Sequence, residues 1–288
     1  MRRPLNNSFF LYLFLFLSSN YTADLYGQFR TNIFGTAAAA SVLVGQADNI
    51  KSVQLNKKTI PFDKEGYFIF GFDRDSKGEF ILKILFKDKK AETFVYDINP
   101  GEYETQAING LKKKMVLPSR KDKKRIAGEY KLLSADKKKL LSGKNAFYKT
   151  GFAYPIDSVD ITSVFGNGRI LNGIKKSPHD GVDFSADEGT PVKAAGDGIV
   201  LVARRNFYYN GTFIMIDHGH SLITNYLHLS KLSVKRGDRV SKGDVIGEVG
   251  STGRATGPHL HWGAQLLKKR IDPMCLLKLN ITPQKADR

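Results

Sequence analysis

The chain has 288 residues, 41% of them hydrophobic, and a formal net charge of +17. That length accommodates two modest domains, and the apolar content excludes wholesale disorder. Cys275 is the only cysteine, so no internal disulfide is available and stability must come from packing or a metal.

The first residues read as an export signal over 1–23. Arg2 and Arg3 precede an apolar run at 9–17, followed by small and polar residues. The run is about half the ~20 residues that a membrane-spanning helix requires. The absence of a cysteine near its end argues against lipid attachment. The protein is therefore expected to be exported, to the periplasm or cell envelope.

Residues 30–112 are expected to form a small N-terminal β domain. Short apolar or alternating runs at 66–72, 79–86 and 93–98 are separated by turns rich in Asp and Gly. A sandwich-like antiparallel arrangement follows, and this part contains no histidine. Residues 113–150 then read as a basic helical linker. Between 111 and 150 fourteen Lys or Arg stand against three Asp or Glu, a local excess of eleven positive charges. A helix is expected over 120–141, with Ile126, Tyr130, Leu133 and Leu140 as its apolar stripe, weakened by Gly128. No nucleic-acid motif is present, so no nucleic-acid partner is expected. An anionic envelope surface or an envelope regulator fits the basic belt better, although a solvated helix face accounts for it equally well.

Residues 151–288 read as a glycine-rich all-β domain. Asn210-Gly211, between two strand-like runs, predicts a two-residue hairpin turn. All six histidines of the chain lie here, between His179 and His261. His179-Asp180-Gly181-Val182-Asp183 sets an imidazole and a carboxylate four residues apart, with Gly181 permitting a tight bend. Nitrogen and oxygen donors of this kind suit zinc. In His259-Leu260-His261 the two imidazoles share one strand face with Gln265, while Leu260, Trp262 and Leu266 take the other. By the same alternation Tyr226 and His228 are expected on one face and Leu227 and Leu229 in the core. His218 and His220 fall at a turn and are expected to be structural. Three protein ligands leave zinc one open coordination position for water, and the remaining histidines can handle protons. Cys275, in an apolar stretch, is expected to be a structural thiol.

At these residues the sequence resembles the lysostaphin/LytM-like zinc metallopeptidases of metallopeptidase family 23. The likeness runs through Ser163-Val164-Phe165-Gly166 with Arg169, Pro178 to Phe184, and Gly189 to Gly198. It continues through Ile216 to Gly219, Tyr226 to Leu229, Val240 to Gly243 and Gly250 to Gly253, and closes on Thr256 to Trp262. A softer likeness to the N-terminal domains of envelope members appears around Tyr103 to Leu111. The resemblance implies an all-β fold, with a glycine-rich antiparallel peptidase sheet (a duplicated hybrid motif). It implies one Zn2+ per chain on His179, Asp183 and His261, and catalytic roles for His228 and His259. The preferred assignment is His259 as base and His228 as oxyanion donor. The implied activity is hydrolysis of peptide cross-links in peptidoglycan, in a groove walled by 205–210 and 250–257.

Two other readings compete. A catalytically silent wall-binding protein that activates an amidase would be expected to have lost ligands, and all five positions are intact. A lipoyl- or biotinyl-carrier-like module is suggested by the glycine- and valine-containing run at 234–247, but the hairpin context of a modified lysine is absent.

Overall fold

The computed structural model describes residues 29–111, 113–138 and 145–281. The expected signal at 1–23 and Leu140 of the expected stripe lie outside the described residues. Among the described residues no helix is long and apolar enough to cross a membrane.

The protein is mostly β, with one long helix between its N-terminal sheets and a large C-terminal sheet. Strands β1 (Asn32–Phe34), β2 (Val42–Gln46) and β5 (Tyr67–Gly71) form one antiparallel sheet. Strands β3 (Ile50–Leu55), β4 (Lys58–Ile60), β6 (Gly78–Phe86) and β7 (Ala91–Ile98) form a second, in the order β4-β3-β6-β7. Their alternating apolar residues meet in an aromatic-rich core containing Leu43, Phe68, Phe70, Leu82, Ile84 and Phe86. Gly45 makes room for the stacked Phe68 ring, since a Cβ there would lie 2.0 Å from it.

The first sheet is buried on both faces. Val42, Val44 and Ile69, which alternate with Leu43, Phe68 and Phe70, belong to the C-terminal core together with Tyr148, Val182, Phe184, Tyr226 and Trp262. A strand covered on both sides loses the polar–apolar alternation of a surface strand, and β5 reads Tyr-Phe-Ile-Phe-Gly accordingly. The two halves of the chain therefore share hydrophobic packing.

Strand β8 (Thr105–Ile108) leaves the N-terminal region and pairs in parallel with β10 (Gly168–Leu171), which is paired on its other side with β11 (Ile174–Lys176). A short helix α1 (Lys113–Val116) and the long helix α2 (Arg120–Lys138) follow. Helix α2 begins with a reciprocal cap. Ser119 Oγ accepts from the Asp122 backbone N–H at 3.1 Å, and the Asp122 carboxylate accepts from Ser119 N–H and O–H. Of its expected apolar stripe, Leu133 is buried but Tyr130 is 62% exposed. The helix is held largely by carboxylates. Glu129 accepts from the Tyr208 backbone N–H, and buried Asp136 pairs with Arg204 at 2.8 Å.

The large sheet contains β9 (Ile161–Ser163), β12 (Gly181–Ser185), β14 (Gly198–Phe207), β15 (Gly211–Asp217), β16 (Leu222–Leu229), β18 (Arg239–Val240), β20 (His259–Leu266) and β21 (Lys269–Ile271). Its order is β18-β14-β15-β16-β20-β12-β9, with β21 beside β20. A smaller sheet, β13 (Pro191–Lys193), β17 (Lys231–Leu232) and β19 (Val245–Glu248), helps to cover one face of it. The opposite face packs against Leu133 of α2 through Phe213, Met215 and Ile223. Phe207 pairs with Gly211, so the β14–β15 loop has three residues, Tyr208-Tyr209-Asn210, rather than the expected Asn-Gly pair. Gly211, at φ 66°, opens the next strand because Thr252 presses against it, and a Cβ there would lie 2.3 Å from Thr252 Oγ1.

Candidate metal centre and groove

The β12–β20 register puts Asp183 directly opposite His261. Their neighbours Val182, Phe184, Leu260 and Trp262 point into the core, so Asp183 and His261 emerge together on the other face. His179 precedes β12, and its backbone N–H donates to Asn167 O at 2.9 Å. His179 Nε2 lies 3.1 Å from both Asp183 Oδ1 and His261 Nδ1, and His261 Nδ1 lies 2.8 Å from Asp183 Oδ1. Three donor atoms thus converge on one point, all within 4.8 Å of one another.

The surroundings fix which atoms face that point. His179 Nδ1 donates to Val164 O at 2.9 Å, leaving Nε2 with its lone pair inward. Asp183 Oδ2 accepts from Arg169 Nη2 at 3.0 Å, which turns Oδ1 toward the histidines. Burial alone would raise the Asp183 carboxyl, but the close polar contacts with the His179 and His261 imidazoles overcome it, holding it far below the usual carboxylate range. Burial likewise lowers His179. A carboxylate kept ionised beside two imidazoles in a buried cluster is a donor set that zinc accepts. Among the described residues these three inward atoms have only one another as polar partners, so the residues fit a cation.

Gly181 is extended strand rather than a bend. Its role is close approach: a Cβ there would lie 2.7 Å from His261 Nε2 and 2.4 Å from Trp262 O.

His228 joins this cluster through a backbone irregularity. Tyr226 points into the core beside Trp262, so the expectation that Tyr226 and His228 share a face is overturned. The β15–β16 register shifts between Thr212 and Ile214, and His228 sits at φ 65°. That bulge adds one residue to the count and turns His228 to the Asp183 face. Its ring lies 4.8 Å from that of His259 and 6.1 Å from that of His261. His228 Nδ1 donates to Thr252 O at 2.8 Å and His259 Nδ1 to Gly257 O at 2.9 Å, so each presents Nε2 for proton exchange. Burial first, then the neighbouring His261 and His259, pushes His228 down to about 3.

His218 and His220 stay apart from this group. Buried His218 donates from Nδ1 to Asp197 O and accepts at Nε2 from Thr224, both at 2.7 Å, which pins the β15–β16 turn. His220 Nδ1 bonds to the Tyr148 hydroxyl at 2.9 Å. Cys275 is equally remote from catalysis, since burial pushes its thiol up to about 12.

The cluster opens into a cavity of about 390 Å³ lined by Asp183, His228, His259 and His261. One wall includes Arg254, Thr256 and Gly257, from the expected 250–257 segment. The expected 205–210 wall is absent from the lining, because Tyr208 and its neighbours turn toward α1 and α2. In its place stand Gln106, Ile108 and Leu111 from β8 and the residues just after it, with Thr162 and Leu171. Sequence reading missed these N-terminal residues because their contribution depends on a parallel pairing with β10, more than sixty residues away.

Residues 177–273, which include all five of these positions, match peptidase family M23. Over this region the chain belongs to the M23 family. Among curated proteins, the peptidoglycan DD-endopeptidase ShyA of Vibrio cholerae is 46% identical over 130 residues, 44% of this chain and 29% of ShyA. The DD-carboxypeptidase/endopeptidase Mpg of Neisseria meningitidis is 45% identical over 96 residues, 33% of this chain and 22% of Mpg. The matches thus span less than a third of those relatives' own length. A crystal structure of a Pseudomonas aeruginosa chain assigned to peptidase M23 superimposes with a TM-score of 0.61 at 27% identity. It covers 85% of this chain and 96% of its own, so that M23 likeness takes in N-terminal sheets as well as the large sheet.

Proposed function

We propose that this protein is an exported, zinc-dependent endopeptidase that hydrolyses peptide cross-links of bacterial peptidoglycan, acting in the periplasm or cell envelope. The observation that carries the reading is the convergence of His179 Nε2, Asp183 Oδ1 and His261 Nδ1 at the floor of an open groove. The similarity to peptidoglycan DD-endopeptidases supports the substrate, and the basic charge suits a carboxylate-bearing wall.

His179, Asp183 and His261 would hold one zinc ion, which when bound supplies Lewis acidity for the scissile carbonyl and acidifies water. His259, the less buried of the flanking imidazoles, takes the proton from the attacking water at Nε2 and passes it on to the leaving amine. His228, locked by Thr252 O, faces the developing oxyanion, whose negative charge favours a proton on its Nε2. Arg169 keeps Asp183 oriented. The groove formed by β8 and the 250–257 segment holds the peptide across these groups.

The test is digestion of purified peptidoglycan with metal content measured in parallel. Wild type should release new amine ends. His261→Ala should lose both zinc and cleavage, whereas His259→Ala should lose cleavage and keep zinc. Zinc-loaded wild type that cuts no wall peptide would shift the reading to a wall-binding regulator of an amidase.

A further inference from the structure

Three arginines among the described residues are half-buried: Arg74, Arg169 and Arg254. Arg74 donates to Gly166 O and pairs with Asp75, and Arg169 is committed to Asp183. Arg254 has neither an ion pair nor a side-chain hydrogen bond among the described residues. It lines the groove beside His228 and His259. Two contacts hold it in place. Its backbone N–H donates to Tyr209 O at 3.0 Å, and its guanidinium carbon lies 4.5 Å from the centroid of the Tyr209 ring. Stacking uses the flat face of a guanidinium and leaves its N–H edge free for a planar, two-oxygen partner. Removing a guanidinium from water without a partner is unfavourable, so the arrangement is poised to be completed by a ligand. Among the described residues that line the groove, no carboxylate is left for it. Asp183 is the single acidic residue of the lining, and its oxygens are taken by Arg169 and the two histidines.

We propose that Arg254 is a specificity-determining residue that binds a free carboxylate on the wall peptide next to the scissile bond. This rests on the peptidase reading and narrows it. In a cross-link whose scissile amine belongs to a dicarboxylic diamino acid, the carbon that bears this amine also carries a carboxylate that is not used in the peptide chain. A glycine bridge has no such group beside its internal bonds. Arg254 thus selects the diamino acid class of cross-link, with the carboxylate on its N–H edge and the scissile carbonyl beside His228 and His259.

The test uses two synthetic cross-linked wall peptides that differ only in a carboxylate or a carboxamide on the diamino acid. Binding of both is measured to the full, zinc-loaded His259→Ala chain, and cleavage of both is measured with His259 intact. Each background carries Arg254, Arg254→Lys or Arg254→Gln. With Arg254 the carboxylate peptide should be preferred about ten- to a hundredfold in binding and in kcat/KM, as expected for a charge-assisted hydrogen bond. Arg254→Gln should collapse that ratio, and Arg254→Lys should keep part of it through a point charge. Equal handling of the two peptides by the Arg254 protein, failure of both to bind, or a preference that survives in Arg254→Gln would each overturn the proposal. Selective binding of the carboxylate peptide with no cleavage of either would leave Arg254 in its role and sink the peptidase reading instead. Because the ratio is read first within the Arg254 protein, a variant that folds poorly does not decide the outcome.

Discussion

Arg169 Nη2 and Asp183 Oδ2 lie 3.0 Å apart, both side chains largely withdrawn from solvent. This contact aims the other carboxylate oxygen at His179 and His261. An outer-shell partner of this kind is worth about ten- to a hundredfold in metal affinity. Arg169→Gln should therefore weaken zinc retention by about that factor in a chelator competition, while His179 and His261 remain in place. Unchanged retention would show that Asp183 is held by its strand alone.

Gly181 supplies a second check on the same cluster. A methyl group there would meet Trp262 O and the His261 ring, and overpacking of this kind costs about 1–3 kcal/mol. Gly181→Ala should lower the urea midpoint by a corresponding amount and weaken zinc binding with it. Lost stability with intact zinc affinity would mean that the strand yields without moving His261.

Acid sensitivity should have a component from His218. Burial lowers this imidazole from 6.5 to about 4, so the unfolded chain takes up the proton first as pH falls. The stabilisation by neutral His218 is complete above about 6.5, declines between 6.5 and 4, and is gone below. The shift corresponds to about 3 kcal/mol. Urea unfolding of the chelator-treated protein at several pH values should show His218→Gln less acid-sensitive than wild type in that window. Parallel pH curves would remove His218 as a contributor.

Ile69, 1% exposed, belongs to the core shared by the N-terminal and large sheets. Ile69→Ala should cost about 2–5 kcal/mol. Calorimetry should show one unfolding transition for the whole described chain, shifted downward in the variant. Two transitions, with only the earlier one shifted, would mean that the halves unfold separately. The shared core also means that removing the N-terminal sheets would open the hydrophobic cluster they form with the large sheet.

Asp136 should anchor the basic helix. Its carboxylate is buried while Arg204 is 43% exposed, so Asp136→Ala should cost about 1–2 kcal/mol, less than loss of a fully buried pair. Hydrogen exchange should accelerate in α2 and leave β20 protected. Unaltered exchange in α2 would assign its anchoring to Leu133 and Glu129.

Much of this protein was legible along the sequence where the physics is local. Alternation in His259-Leu260-His261-Trp262 separates groove from core, as β20 does. The apolar runs at 79–86 and 93–98 correspond to β6 and β7. The sequence spacing misled at Tyr226 and His228, because a bulge changes the count without leaving a residue-type signature. On α2 Leu133 is buried as the stripe predicts, but Tyr130 is not, because the helix is anchored through Glu129 and Asp136 to Tyr208 and Arg204, more than sixty residues away. Arg254 passed unnoticed for a similar reason: its significance lies in the absence of a nearby carboxylate, which only three-dimensional proximity reveals.

The parallel pairing of β8 with β10 divides labour along the chain. Main-chain pairing holds the strand, which frees Ile108 to vary without a side-chain bond to β12 or β20, whereas Gln106 accepts from Ser163 Oγ, itself 3.1 Å from His179 Nδ1. One wall of the groove thus comes from upstream of the five site positions, while the other, at 250–257, comes from between His228 and His259. Under the proposed activity, substitutions at Ile108 and Leu111 would reshape the upstream wall of the groove and leave His179, Asp183, His228, His259 and His261 unchanged.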